Sequence, residues 1–448
     1  MKLFSISTTT SNKDLNIFLN IVKSFFFRIL GMLFNFLTIP ITLRILKSND
    51  YGIWVTIFSV VSWVTLMDVG IGSGFRIKFT EEITKKNFKE AAKYLQTFYF
   101  STSILAGVIT IIIFLIFIFF DLKKILNLNS DSDLDLIFFI ALLSTNFLFL
   151  LKNISAILLA IHKSSINNFI LFLNNISVFF LIFFGERLIG LNFIKIACIY
   201  LLTPVLIYGI SNFFVFKKYL PWFKENIYKW NEKYYLNNIL NLGWKYFVIQ
   251  IAIIVMFSSN NLIISKLFGS SEVTHFNILM QLFSTALFAF SLITTPYWSA
   301  FTEANTSKDN QWIKSAIKKL LLFWLFFSFA IIVFSIFIPS ITKLWLNINF
   351  NYSPSLIYNF VFYAILLSYC SVFSIYLAGI GKLKISYYNA IFQIVTNLPI
   401  TYMLAKSFNL GLTGVILSIN LNLLITSILL TIQGYKLINN KTHGIWSR

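Results

Sequence analysis

Two cations lie inside apolar stretches of the sequence, Arg28 in the first stretch and Lys152 in the fourth. Each lies about 8 residues from one end of its stretch, which sets it roughly 12 Å deep at 1.5 Å per residue. A charge inside hydrocarbon is costly and usually faces a cavity or a partner. Because no carboxylate lies within two turns of either residue, the pair favours an anion site over a salt bridge. Arginine can bind phosphate in a bidentate manner and lysine acts as a point charge, although Lys152 has the alternative of snorkelling toward the inner headgroups.

Polar residues also form two helical stripes within apolar stretches. The first stretch carries a series spaced 4, 3, 4, 3 and 4 residues apart, namely Ser24, Arg28, Gly31, Asn35, Thr38 and Thr42. The eighth stretch repeats the pattern with Asn277, Gln281, Ser284, Ser291 and Thr295. Spacings of 3 and 4 place side chains on one face of an α-helix. The stripes therefore predict either the polar lining of a cavity or close helix–helix packing through small residues.

Asp68 opens a glycine-rich run that ends at Arg76. The run reads Asp68-Val69-Gly70-Ile71-Gly72-Ser73-Gly74-Phe75-Arg76, and its glycines permit a bend or a loosened helix end. We expect Asp68 and Arg76 to form an ion pair, with the alternative that they serve ion coupling or gating. The three histidines and two cysteines of the chain are scattered without metal-ligand spacing, so neither a metal site nor a cofactor is predicted.

The composition indicates a membrane protein. Of 448 residues, 58% are hydrophobic and 12% are charged, about half the charged fraction of a soluble domain. Stretches long enough to cross a hydrocarbon core of about 30 Å occur at 19–46, 52–72, 95–120, 134–161, 165–185, 190–216, 239–268, 273–300, 313–340, 355–380, 385–406 and 411–437. With a cytoplasmic N-terminus, 26 Lys and Arg lie in inner segments and 9 in outer loops, as the positive-inside rule favours. The sequence predicts an all-α membrane protein of about 12 transmembrane helices with both termini cytoplasmic, and its net charge of +20 does not indicate a nucleic-acid partner.

The chain contains an internal repeat with a constant offset between its two halves. Phe79-Thr80-Glu81 aligns with Phe301-Thr302-Glu303, and the same offset aligns Arg28 with Gln250. Each half has an even number of helices, so both halves enter the membrane in the same direction. Parallel repeats are related by an axis along the membrane normal, and transporters typically bind substrates at the repeat interface. We expect an N-terminal six-helix bundle at 1–220, a cytoplasmic amphipathic linker at 221–238 and a C-terminal six-helix bundle at 239–448.

The region after the first apolar stretch resembles the opening signature of Wzx-type polysaccharide flippases. It reads Leu43-Arg44-Ile45-Leu46, then Asp50-Tyr51-Gly52-Ile53-Trp54, Ser62-Trp63 and Asp68-Val69-Gly70-Ile71-Gly72, with Lys47 where that family often has glycine. The family belongs to the superfamily of multidrug and toxin extruders. The resemblance implies two bundles around a cationic central cavity that works by alternating access. It also implies that the substrate is an undecaprenyl-pyrophosphate-linked repeat unit of O-antigen or capsule, flipped from the inner to the outer leaflet of the cytoplasmic membrane.

Under this interpretation, Arg28 and Lys152 are expected to bind the diphosphate in the cavity. The expected polar lining comprises Ser24, Asn35, Thr38, Gln250, Asn277, Gln281 and Ser284. Expected partners are the lipid-linked oligosaccharide, membrane lipids, and a polysaccharide polymerase with its chain-length regulator.

Two other function classes compete with this interpretation. A cation-coupled multidrug exporter needs an acidic residue inside a helix, and the first and seventh stretches contain none. A membrane-embedded polysaccharide polymerase would be an enzyme with catalytic groups in sizeable outer loops, whereas the outer loops here are short. The sequence therefore favours a transporter over an enzyme.

Overall fold

The computed structural model describes residues 12–66, 70–119, 134–161, 163–226, 232–306, 308–348, 350, 352–439 and 444–447. No β-strand occurs in these ranges. The α-helices are α1 (Asn12–Leu66), α2 (Ile71–Thr84), α3 (Phe88–Phe119), α4 (Leu134–Leu151), α5 (Asn153–Ala160), α6 (Ser164–Ile189), α7 (Phe193–Tyr219), α8 (Glu232–Ile253), α9 (Ser259–Phe268), α10 (Ser270–Thr294), α11 (Tyr297–Thr306), α12 (Asn310–Ile336), α13 (Ile338–Leu346), α14 (Pro354–Gly379), α15 (Lys384–Tyr402) and α16 (Gly411–Ile438). Pro221–Asn226 and Gly444–Ser447 form 3₁₀ turns, and Ile254–Ser258 and Met403–Ser407 form π turns.

Ten helical stretches within the described ranges are long and apolar enough to cross a membrane. They account for eleven of the twelve predicted segments, because α1 covers the first two, as two helices that meet at a kink at Lys47. The 55 residues of α1 amount to about 82 Å of helix, enough for two crossings of the hydrocarbon core. The remaining segment, 385–406, corresponds to α15 and the π turn that follows it. The prediction of an all-α membrane protein is confirmed.

The backbone of α1 is interrupted at Lys47, which has φ 60° and ψ 175°. Gly269, which separates α9 from α10, has φ 91° and ψ 168°. The offset that aligns Phe79 with Phe301 also aligns these two residues, so they are equivalent in the repeat. Both lie in a region of backbone space that is accessible mainly to glycine.

The connections that precede α3 and α12 are also built alike. Lys86 and Lys308 occupy equivalent positions of the repeat, and both have φ 58°. Each is followed by a residue that caps the next helix. Asn87 Oδ1 accepts from the backbone N–H three residues on at 3.3 Å, and Asp309 Oδ1 does the same at 2.9 Å. Equivalent backbone conformations and equivalent N-caps support the duplication that the sequence predicted.

The described residues group into two compact units. The first unit contains those within Met1–Leu46, Val64–Leu122 and Ser130–Phe247. The second unit contains those within Lys47–Trp63, Lys123–Asn129 and Val248–Arg448. Helices α1 and α8 therefore each contribute residues to both units. The predicted boundaries of the two six-helix bundles stay a prediction.

Aromatic side chains form the core of the first unit. The rings of Phe75 and Phe98 stack with centroids 4.1 Å apart, and Phe79 stacks on Phe75 at 4.9 Å. Trp222, from the 3₁₀ turn, lies 6.4 Å from Phe79 and 5.1 Å from Phe88. The first residues of the predicted linker are thus packed onto this core.

Helix α2 crosses α8 near Ile239 and Gly243, and the contacts depend on glycines. A Cβ atom on Gly70 would overlap the carbonyl oxygen of Gly243, and a Cβ atom on Gly74 would overlap that of Ile239. Only glycine permits so close an approach of two backbones. The glycines of the Asp68–Arg76 run therefore serve a helix crossing within the first unit.

The second unit is centred on α14, which is buried along much of its length. Phe360 stacks on Phe283 of α10 with centroids 5.5 Å apart, and Tyr376 lies 5.2 Å from Phe301 of α11 in an edge-to-face contact. Phe79 and its repeat equivalent Phe301 are both fully buried. The repeated triplet thus supplies a core residue to each unit.

Candidate functional site

The structure divides the polar stripe of α1 into two groups. Ser24, Gly31 and Thr42 lie against neighbouring helices of the first unit. On α6, Asn168 Nδ2 donates to Ser24 Oγ at 2.6 Å and to its carbonyl at 3.2 Å, and Asn175 Nδ2 donates to the Gly31 carbonyl at 2.9 Å. On α7, the hydroxyl of Tyr200 lies 3.1 Å from Thr42 Oγ1. These stripe members serve helix packing.

Arg28 and Asn35 form the second group, and both side chains are exposed. They are two helical turns apart in the sequence and therefore lie one above the other. Thr38 is buried, and its hydroxyl donates to the Phe34 carbonyl at 2.7 Å. Thr38, predicted as a lining residue, therefore satisfies its hydroxyl within its own helix. Arg28 and Asn35 are the members of the stripe that a ligand can reach.

Lys152 lies at the break between α4 and α5. Its backbone N–H donates to the Leu148 carbonyl at 2.9 Å, and its own carbonyl accepts from the Ser155 N–H at 2.8 Å. The side chain is half-buried, next to Ile154 and Asn153, which are both buried. Arg28 and Lys152 thus belong to one unit but differ in exposure. That they bind one anion together stays a prediction.

The stripe of the eighth predicted helix lies on α10. Asn277, Gln281 and Ser284 are half-buried, and none of them is fully enclosed. Their spacing places them on one face of the helix. Half-buried amides and hydroxyls on a transmembrane helix are suited to bind sugar hydroxyls, because they can both donate and accept hydrogen bonds.

Gln250, the repeat counterpart of Arg28, is half-buried on α8. Its Oε1 atom is shielded from solvent and has no hydrogen-bond partner in the described part of the chain. A shielded acceptor without a donor costs about 1–3 kcal/mol. The amide oxygen of Gln250 is therefore an acceptor that the described residues leave unsatisfied.

The predicted ion pair of Asp68 and Arg76 stays a prediction, because Asp68 lies outside the described residues. Arg76 is exposed on α2, where Lys78 and Glu81 form an ion pair of 3.0 Å one turn away. A role of Asp68 and Arg76 in ion coupling or gating stays a prediction.

Buried amides between α15 and α16 form a polar interface that our sequence analysis missed. Asn389 Nδ2 and Gln393 Nε2 both donate to Thr426 Oγ1, at 2.9 and 2.8 Å. The hydroxyls of Thr401 and Ser418 lie 2.6 Å apart. Residues 389, 393, 397 and 401 are spaced by four in the sequence, which is a visible polar stripe. The spacing shows that these residues share one face of α15. It does not show that α16 packs on that face, because periodicity contains no information about the neighbouring helix.

Groups of three or more His, Cys, Asp or Glu side chains suited to a metal ion are absent from the residues that the structure describes. The candidate site therefore consists of cations, amides and hydroxyls. Such groups bind phosphate and sugar hydroxyls by hydrogen bonds and charge.

Comparisons with known proteins agree with the resemblance seen in the sequence. Residues 19–302 match the family described as polysaccharide biosynthesis protein. A Yersinia pseudotuberculosis protein named "Putative O-antigen export protein" is 24% identical over 428 residues, which cover 89% of this chain and 91% of that protein.

Solved structures share the fold. An inward-facing multidrug resistance MATE family transporter of the MOP superfamily has a TM-score of 0.74 at 16% identity, over 94% of this chain and 98% of that chain. The lipid II flippase MurJ in an inward closed conformation has a TM-score of 0.67 at 17% identity, over 96% of this chain and 88% of that chain. Because the family match covers more than half of its residues, the chain belongs to the polysaccharide biosynthesis protein family.

Proposed function

We propose that this protein is a flippase for an undecaprenyl-pyrophosphate-linked oligosaccharide repeat unit of O-antigen or capsule. The observation that carries the proposal is Arg28, an exposed guanidinium on an apolar helix of a chain in the polysaccharide biosynthesis family. A permanent cation on a membrane helix needs an aqueous cavity or an anionic partner. A lipid-linked diphosphate is such a partner. The name of the Yersinia relative, an O-antigen export protein, supports this substrate class.

In the proposed cycle the diphosphate binds between Arg28 and Lys152. The guanidinium makes bidentate contacts to phosphate oxygens, and the ammonium adds a point charge. The sugar contacts the side chains of Asn35 on α1 and of Asn277, Gln281 and Ser284 on α10. It also contacts Oε1 of Gln250. The prenyl chain stays in the bilayer throughout, because no apolar ligand gains by leaving hydrocarbon.

The proposed transport step is alternating access between two bundles, 1–220 and 239–448, joined by the linker at 221–238. Rocking of one repeat against the other re-exposes a bound substrate on the opposite side of the membrane. Asp68 and Arg76 are proposed to gate or couple this step. The protein acts in the bacterial cytoplasmic membrane with both termini inside, and a polymerase with its chain-length regulator consumes the flipped unit.

A leaflet-resolved assay of the lipid-linked sugar tests the proposal. A deletion strain is complemented with wild type, Arg28→Ala, Arg28→Lys or Arg44→Ala. Arg44 is the matched control, because it lies on the same helix, is exposed like Arg28, and forms an ion pair with Glu186 at 2.9 Å. We expect Arg28→Ala to slow flipping at least about tenfold, which corresponds to loss of one hydrogen bond to a charged group, and Arg44→Ala to flip normally.

The lipid-linked sugar that accumulates in the uncomplemented deletion strain distinguishes the three function classes. Single units that accumulate on the inner leaflet support a flippase. Single units on the outer leaflet would identify a polymerase, and an unchanged lipid pool with raised drug sensitivity would identify a drug exporter. Normal flipping by an inserted and stable Arg28→Ala protein would overturn the proposed role of Arg28.

A further inference from the structure

An asparagine at the same position of each repeat contacts the first helix of that repeat. Asn175 of α6 donates to the Gly31 carbonyl of α1 at 2.9 Å. Asn397 of α15 donates to the Val255 carbonyl at 2.9 Å, in the π turn that follows α8. The repeat offset aligns Asn175 with Asn397. The first contact lies within the first unit and the second within the second unit.

In the first repeat the contact depends on close helix packing. A Cβ atom on Gly31 would lie 3.4 Å from the Cα of Phe172 and 3.5 Å from Nδ2 of Asn175. Two turns before Asn175, Asn168 donates to the Ser24 carbonyl in the same way. Arg28 lies between Ser24 and Gly31 in α1. The two amides therefore hold α1 on either side of Arg28.

In both repeats the oxygen of this amide also accepts a hydrogen bond, and Asn175 Oδ1 accepts from Asn174 Nδ2 at 3.2 Å. Asn397 is fully buried, and its Oδ1 accepts from Asn422 Nδ2 at 3.2 Å. A π turn widens the helix locally and perturbs the regular pairing of its carbonyls, and such turns are frequent at functional sites. Here the Val255 carbonyl accepts from both the Asn397 amide and the Ser259 hydroxyl. Gln250 lies about one turn before Val255.

The residues around the two amides differ between the repeats. Gly31, Phe172 and Asn168 correspond to Ile253, Ile394 and Ala390. Ala390 packs against Val248 and Ala252 of α8, so an apolar contact replaces the second amide bond. Both repeats have an amide-to-carbonyl bond, but the acceptor lies two residues further along the helix in the second repeat, at Val255 rather than at Ile253. In a bilayer an amide without a partner is costly, which favours such a bond in both repeats although the surrounding packing differs.

We propose that Asn175 and Asn397 are equivalent positioning residues. Each holds the first helix of its repeat by a backbone carbonyl, so that Arg28 on α1 and Gln250 on α8 keep their orientation toward the substrate. This proposal rests on the proposed function, because Arg28 and Gln250 matter only if they bind that substrate. The positions of the helices are measurable without any substrate.

Cysteine labelling of the full-length protein in detergent measures these positions. Cys198 and Cys370 are replaced by alanine, and Asn35→Cys is added as an exposed probe on α1. The rate at which Asn35→Cys reacts with a hydrophilic maleimide is then measured in three proteins. One has no further change, one also carries Asn175→Leu, and one also carries Asn212→Leu. Asn212 is the matched control, since its amide donates to the Leu151 carbonyl at 2.8 Å and joins α7 to α4. Ile253→Cys on α8, 48% exposed, serves as the probe for Asn397→Leu.

We expect Asn175→Leu to change the labelling rate at position 35 by about threefold, the factor that corresponds to a membrane interhelical hydrogen bond of average strength. Asn212→Leu should leave that rate unchanged, even if it lowers the thermal midpoint of unfolding by as much as Asn175→Leu does. An unchanged rate in Asn175→Leu would overturn the positioning role and would leave the flippase proposal intact. In the leaflet-resolved assay, Arg28→Ala combined with Asn175→Leu should be no slower than Arg28→Ala alone, and additive losses would show that Asn175 acts independently of Arg28.

Discussion

At position 47 the chain has a lysine where the second repeat has glycine, and both residues have positive φ. Lys47 has φ 60° and ψ 175°, and Gly269 has φ 91° and ψ 168°. This region costs a residue with a side chain about 1–3 kcal/mol, whereas glycine adds roughly 0.5–1 kcal/mol of unfolding entropy. We therefore predict that Lys47→Gly stabilises the protein by about 1–2 kcal/mol, measured as a raised thermal midpoint in detergent. Lys47→Ala, which removes the charge but keeps the Cβ atom, should leave the midpoint unchanged, and an equal gain in both variants would assign the effect to charge.

A second residue-level prediction concerns Tyr235, which is buried on α8 ahead of the membrane span. Its hydroxyl donates to Glu90 Oε2 at 2.6 Å. Burial, and then the hydrogen bond to Glu90, raise the pKa of Tyr235 to about 12. Because the folded-state pKa lies above the unfolded value of about 10, this stabilisation is complete below pH 10 and is lost as the pH rises toward 12.

The variant Tyr235→Phe tests this assignment. Loss of a hydrogen bond to a charged group should cost about 1.5–3 kcal/mol of unfolding free energy at pH 8. The difference from wild type should shrink between pH 10 and pH 12, because wild type then loses the same bond. The neighbouring Tyr234, 58% exposed, gives the control Tyr234→Phe. A difference from wild type that stays constant over this range would contradict the role of the Tyr235 proton.

For individual residues, the sequence predicted which side chains lie on one helix face better than it predicted what each side chain contacts. The spacing of the first stripe correctly placed Ser24, Arg28 and Asn35 on one helix face. It did not separate Ser24, which is bonded to Asn168, from Asn35, which is exposed. That separation depends on where α6 lies, and helix periodicity contains no information about a neighbouring helix. Asn175 was missed for the same reason.

At the scale of the helices, the segment of α1 that follows Lys47 and the start of α10 offer a conformational prediction. Thr274 Oγ1 donates to the Ser48 carbonyl at 2.6 Å, and a Cβ atom on Gly52 would overlap the Ser270 carbonyl oxygen. Position 48 corresponds to 270 and position 52 to 274 in the repeat. The contact is therefore reciprocal, as expected when equivalent segments meet at a two-fold axis. The charge distribution predicts that these segments lie on the outer side of the membrane.

A disulfide across this contact should block transport. The hydroxyl oxygens of Ser48 and Ser271 are 3.1 Å apart, so Ser48→Cys with Ser271→Cys can form a bond after small rotamer changes. If the outer segments must separate to release the sugar, the oxidised double variant will accumulate lipid-linked sugar on the inner leaflet. Reductant should restore flipping, and each single variant should flip normally. Full transport by the oxidised protein would contradict separation at this contact.

The helices themselves were predictable, but their breaks were not. Apolar length located eleven of the twelve predicted segments as membrane-length helices, because a hydrocarbon core admits few backbone structures other than helices. The π turns at Ile254–Ser258 and Met403–Ser407 left no composition signal. The 3₁₀ turn at Pro221–Asn226 was expected in a linker, yet Trp222 packs on the core of the first unit. Contacts made by the tertiary fold decide such local features.

For the whole molecule, the duplication connects the fold with the candidate site. The repeat offset recurs in the breaks at Lys47 and Gly269, in the left-handed residues Lys86 and Lys308, and in the amides of Asn175 and Asn397. These equivalences involve backbone conformation and hydrogen bonds. The charges differ, since Arg28 corresponds to Gln250. The two repeats thus share these features, while the guanidinium that we propose to bind an anion belongs to the first repeat.

The membrane topology of the whole chain gives the final prediction. The two helices of α1 meet at a kink at Lys47 and together contain 55 residues, about 82 Å of helix. The segments before and after Lys47 should therefore each cross a hydrocarbon core of about 30 Å. After replacement of Cys198 and Cys370, we expect an impermeant maleimide to label Asn49→Cys and Asn347→Cys in intact cells. Lys86→Cys and Lys308→Cys, at equivalent positions of the two repeats, should react only after permeabilisation. Labelling of positions 49 and 86 from the same side of the membrane would contradict the twelve-crossing topology and the orientation on which alternating access depends.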